Sequence, residues 1–98
     1  MIELKAYIGT EYKDNFGYSL AHNHNYVLRE ILEEFENCTV YPYCLGQWKY
    51  VHETTLVVEL IIEPEQLNEV IEKLNKLKEK LRQEEILVTR KDIDIINI

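Results

Sequence analysis

Residues 54–81 read TTLVVELIIEPEQLNEVIEKLNKLKEKL, and the change of rhythm inside this stretch decides the fold. From Thr54 to Glu63 the chain is β-branched and aliphatic without a breaker, the composition of a strand. Pro64 stops it, because proline supplies no N–H to a ladder; the same residue suits the first turn of a helix, where that N–H has no partner to lose. Leu67, Val70, Leu74, Leu77 and Leu81 then recur at steps of three and four, with Ile71 widening the stripe. Glu69 with Lys73, and Glu72 with Lys76, stand at the i, i+4 spacing that supports a solvated helical face. The stripe is too short for an independent zipper, so a helix lying on a sheet is the expectation.

Working outward, the N-terminal side repeats the same alternation of periods. Ile2, Leu4, Ala6 and Ile8 alternate with Glu3, Lys5 and Tyr7, a half-buried strand that Gly9 ends. Val27, Leu28, Ile31, Leu32 and Phe35 form one helical stripe, with Arg29, Glu30, Glu33, Glu34 and Glu36 expected outside it. Asn23 or Asn25 supplies the cap, and Asn37 marks the stop. Cys38 to Leu45 reads as a strand that Pro42 places at an edge or a bulge, and Gly46-Gln47 as the turn after it. Ile86 to Arg90 is the last strand, with Ile93, Ile95 and Ile98 allowing an extra C-terminal one. The order β-α-β-β-α-β with right-handed crossovers gives an α+β fold, a ferredoxin-like plait with an antiparallel sheet and two helices on one face.

Length and composition bound the rest. At 98 residues, 46% hydrophobic and 30% charged, residues 1–98 make one domain with a core of its own. The longest apolar run is far below a membrane span, and the start lacks the basic and apolar segments of a secretion signal. A net charge of −7 argues against nonspecific nucleic-acid binding. Cys38 and Cys44 on one strand lie too far apart to bridge, which points to a reducing, cytoplasmic setting and to small buried side chains on one strand face. The Ile-, Lys-, Glu-, Asn- and Tyr-rich usage resembles that of a low-GC bacterium or its phage.

The plait's chain direction brings three connections to one end. The long first loop carries Tyr12, Phe16, Tyr18, His22 and His24; the central hairpin carries Trp48, Lys49 and His52; the last connection carries Arg82. Aromatic faces that stack a planar group, with cations and imidazoles to hold an anion, are the chemistry of a binder of a small, nucleotide-like ligand. No catalytic residue, metal site or cofactor is assigned. His22, His24 and His52 could supply three imidazoles, but no HExxH motif, no CxxC pair and no fixed carboxylate beyond Glu53 accompanies them. Glycine-rich phosphate loops and thiols with a basic neighbour are absent from the sequence.

Gly46-Gln47-Trp48, His52-Glu53 ahead of an apolar strand, and Gln83-Glu84 before the last strand resemble an uncharacterised bacterial family of small ferredoxin-like domains with a Gly-Gln-Trp turn. The resemblance spans residues 2–88. It departs at His52, where that family often has arginine, and in the longer first loop. It implies the fold and no activity. In architecture the chain also resembles the plait domains that pack sheet to sheet in dimers and trimers, and Tyr41, Tyr43, Val57 and Ile61 are the expected outward positions of such a homo-oligomer.

Three functions therefore stand as expectations. The first is a non-catalytic module that binds or sequesters a small ligand. The second is a protein-interaction or inhibitor module that uses the acidic surface of the first helix. The third is a histidine- or metal-dependent enzyme.

Overall fold

A computed structural model describes residues 1–98. The chain runs β1 (Ile2–Gly9), β2 (Glu11–Lys13), β3 (Ser19–Ala21), α1 (His24–Glu34), β4 (Thr39–Trp48), β5 (Val51–Ile62), a 3₁₀ turn (Pro64–Gln66), α2 (Leu67–Lys80) and β6 (Leu87–Asp92). Four strands form one antiparallel sheet in the order β4-β5-β1-β6, and β2 and β3 form a separate hairpin. The molecule is a mixed α+β domain, and no helix is long and apolar enough to cross a membrane.

The period-two residues of the sheet decide its buried face. Ile2, Leu4, Ala6 and Ile8 of β1 lie beside Leu56, Val58, Leu60 and Ile62 of β5, all at 7% exposure or less. Val27, Ile31 and Phe35 of α1, with Val70, Leu74 and Leu77 of α2 and Leu81 just beyond it, close over them in one cluster. Full burial of each such side chain is worth roughly 1.5–3 kcal/mol, so this single layer carries most of the folding free energy.

The two helices are also joined at their surfaces. Glu30 of α1 pairs with Lys80 of α2, and Glu34 with Lys76 at 3.4 Å. Four residues down one helix against four residues up the other is the spacing of an antiparallel pair. Glu30 is only 8% exposed. The acidic face expected to be free on α1 thus gives two of its carboxylates to α2, because the stripe that buries Val27 and Ile31 turns the next row of the helix towards its neighbour.

Four further expectations are corrected. The turn between the long strands is Lys49-Tyr50, flanked by the Trp48–Val51 pair, and Gly46-Gln47 lies inside β4. Lys49 and Tyr50 have φ of 48° and 66°, so the primed turn that suits a twisted hairpin is made without glycine. Gly46 has a different job: a Cβ there would meet the Thr55 Oγ1 at 2.3 Å. The register slips between Tyr41 and Cys44, so Pro42 sits at a bulge. That extra residue puts Cys38 against the core and Cys44 beside Thr55 on the opposite face, although six positions separate them. It also turns Tyr43 to the helix side, leaving Tyr41, Val57 and Ile61 outward. No strand forms after Asp92: β1 runs out of partners at Met1, whose carbonyl accepts the last bond, from the Ile93 N–H.

Candidate functional site: the two-hairpin end

The first connection is built, not loose. Asp14 Oδ1 accepts the N–H groups of Phe16 and Tyr18 at 2.8 and 2.9 Å, and Gly17 takes φ 84°, closing the β2–β3 hairpin. The Asp14-Asn15-Phe16-Gly17 run is the turn chemistry that carries this hairpin, a signal present in the sequence. Its base is tied to β5: the Thr10 hydroxyl donates to the Thr54 carbonyl at 3.1 Å, and the Glu11 N–H donates to Glu53 Oε2 at 3.1 Å. Gly9 leaves the room for that carboxylate, since a Cβ would lie 2.6 Å from it.

Tyr12, His22 and Arg82 are brought together. The Tyr12 and His22 rings stack at 4.2 Å, His22 tilts against Tyr26 at 5.5 Å, and the Arg82 guanidinium lies 5.4 Å over Tyr12. Arg29 caps the far end, 5.7 Å over Tyr26. This row of five side chains pins the hairpin to both helices. His22 Nε2 lies 2.7 Å from the Leu81 carbonyl, so that nitrogen carries the proton and donates. Gln83 Nε2 donates to the Glu11 carbonyl at 2.8 Å, and Arg82 to Asn15 Oδ1 at 3.1 Å, completing the clamp.

His24 works in the opposite direction. As the first residue of α1, after the Asn23 cap, it stacks on Tyr43 at 4.3 Å and donates from Nε2 to the Pro42 carbonyl of the bulge. The two imidazoles of the His-x-His run therefore reach different elements, each with its Nε2 committed to a carbonyl. His52 faces Gln47 across the ribbon, Nε2 to Oε1 at 2.6 Å. The rings do not converge on a common point, and no cluster of three or more His, Cys, Asp or Glu side chains is placed to hold a metal ion. Burial pushes the Cys38 thiol above its ordinary value, which is the wrong direction for a nucleophile.

The remaining expected residues stand out in solvent. Phe16 is 87% exposed, Tyr18 71% and Trp48 70%, while Lys49 sits at the ribbon tip next to Tyr50, itself 93% exposed. Leu45 and Val51, which the sequence reading did not single out, extend this apolar surface down the ribbon. Two open depressions of about 350 Å³ lie elsewhere, one beside Met1, Pro64 and Asp94 and one beside Asn37, Thr39 and Ile61. The end thus splits into an inner clamp, whose stacking faces are filled by its own residues, and an outer set of free aromatic rings. Comparison with protein families and with curated proteins finds no match to the chain.

Proposed function

We propose that this chain is a non-catalytic binding module of ferredoxin-like type, whose working end is the pair of hairpins β2–β3 and β4–β5. The observation that carries this reading is the exposure of Phe16, Tyr18, Trp48 and Tyr50, all at 70% or more and all on two structurally anchored hairpins. Large aromatic side chains held out on ordered backbone are the usual anchors of an interface, because they bury much area for few rotors. The sheet order β4-β5-β1-β6 is the order a split βαβ plait gives, and supports that fold. The partner favoured by open rings without an enclosing cavity is a protein surface.

A planar, nucleotide-like ligand is the second reading, favoured by Lys49 between Trp48 and Tyr50 at the ribbon tip and by Arg82 bonded to Asn15, the residue before Phe16. Capture on immobilised chain separates the two. A protein held by wild type and by a Glu72→Ala control but lost with Trp48→Ala/Tyr50→Ala supports the first. A rise in melting temperature with a nucleotide panel, abolished by Trp48→Ala, supports the second. Equal capture by all variants together with flat melting curves overturns both.

The open face of the sheet is the proposed self-association surface. Leu87, Tyr7, Val57 and Tyr41 form one apolar row across all four strands, with Lys5 and Glu3 paired at 3.6 Å below it. Cytoplasmic placement rests on the two free thiols, which the bulge sets on different faces.

A further inference from the structure

We infer that a second copy of this chain pairs edge to edge with the upper half of β4, Cys44 to Trp48, about a two-fold axis at Gly46. The sheet has two outer edges. On β6 the edge carries Arg90, Lys91 and Asp92, charges of the kind that keep another strand from adding. On β4 the lower half is closed: Pro42 has no N–H, its carbonyl accepts from His24, and the Tyr41 carbonyl accepts the Cys44 thiol at 3.8 Å. The upper half, Cys44-Leu45-Gly46-Gln47-Trp48, has no charge, no proline and no bulge. It is the undefended edge of the four-stranded sheet.

That half-edge also lacks support from behind. β1 pairs with β5 only as far as Gly9 and Thr55, whereas β4 and β5 continue to Trp48 and Val51. The ribbon beyond the sheet is two strands wide, and an isolated two-stranded ribbon is marginal in water. A second copy makes it four strands wide.

The strand is complementary to itself in the antiparallel sense. Trp48 and Val51 flank the two-residue turn as a hydrogen-bonded pair, so ladder alternation turns the N–H and C=O groups of Leu45 and Gln47 away from β5. With the axis at Gly46, Leu45 of one copy meets Gln47 of the other and both exchange bonds. On one face Trp48 comes opposite Cys44 and alongside Gly46 of the other copy, where the small Thr55 hydroxyl takes the place of a Gly46 side chain. On the other face Leu45 lies beside Gln47. This contact competes with the open sheet face as the seam of the dimer, only one of the two holding it together, and it stands whether or not the hairpin end binds a further partner.

Sedimentation and oxidative trapping of the full chain test it. Wild type is expected at twice the 11.7 kDa chain mass at tens of micromolar. Leu45→Pro removes an outward N–H without touching the β4–β5 ladder, and should give monomer with an unchanged circular dichroism spectrum. Trp48→Cys places a thiol opposite Cys44 of the other copy at the close spacing of a non-bonded pair, and should give a covalent dimer on a non-reducing gel where wild type gives none. A wild-type monomer, species beyond a dimer, a dimer that survives Leu45→Pro, or no trapping by Trp48→Cys would each overturn the inference. A dimer dissolved by Val57→Glu and not by Leu45→Pro assigns association to the open face instead.

Discussion

At the residue scale, the side chains gathered at one end of the molecule do two different jobs, and substitution separates them. His22 spends its Nε2 proton on the last carbonyl of the α2 region and both ring faces on Tyr12 and Tyr26. His22→Ala removes a hydrogen bond and an aromatic contact together, and about 1–2 kcal/mol of stability should go with them. Phe16→Ala, at an 87% exposed site, should stay within about 0.5 kcal/mol of wild type in the same urea titration. Equal costs would mean that the clamp is not what holds the hairpin. Tyr50 shows the opposite tension. Its φ of 66° is a left-handed conformation that costs a non-glycine residue about 1–2 kcal/mol. Tyr50→Gly should therefore raise the melting temperature by several degrees, while weakening partner capture because the ring is gone.

At the scale of elements, the periodic segments were legible and the joints between them were not. Alternation in β1 and the Leu67-to-Leu81 stripe named buried residues, since burial on one side forces a period on any regular backbone. The bulge after Tyr41 was visible in Pro42 only as a disruption. Its consequence, Tyr43 and Cys44 each changing sides, depends on which strand lies alongside, which no local pattern states. The true turn at Lys49-Tyr50 was hidden because glycine punctuation pointed three residues too early. Likewise Glu30 looked like a solvated carboxylate until α2 was laid beside it.

That helix pairing has a pH signature. The hydrogen bond that the Lys80 ammonium donates to Glu30 holds its pKa above the ordinary value of 10.5. A pKa raised on folding contributes stability that is complete below the unfolded value and fades as pH climbs through the folded one. Wild type should therefore outlast Lys80→Met in urea at pH 7–9, and the gap should close as pH passes above 10.5. A gap that is constant into the alkaline range would show that the pair acts through packing of the lysine stem alone.

For the whole molecule, the decisive fact is its length. Its extents are 48 × 23 × 23 Å, and β4 and β5 continue as a ribbon beyond the end of β1. Every buried apolar side chain of β1 and β5 lies at or below the Leu56 level, so the ribbon past Thr55 adds length without adding sheet core. Glu53 and Thr54 anchor the β2–β3 hairpin, while the ribbon beyond them displays Trp48 and Tyr50 for contact, and the fold should survive the shortening of that outer part. Deleting Gln47, Trp48, Val51 and His52 moves Gly46 and Glu53 to the flanks of the turn; removing two residues per strand keeps each remaining side chain on its own face. Replacing Lys49-Tyr50 with Asn-Gly in the same chain then gives the shortened turn its preferred residues. The shortened protein should melt within a few degrees of wild type, with the same near-ultraviolet signature from the tyrosines of the clamp, yet lose both partner capture and edge pairing. A collapse in stability would instead assign the ribbon to the folding of the domain, and the exposure of its aromatic rings would then need another physical account.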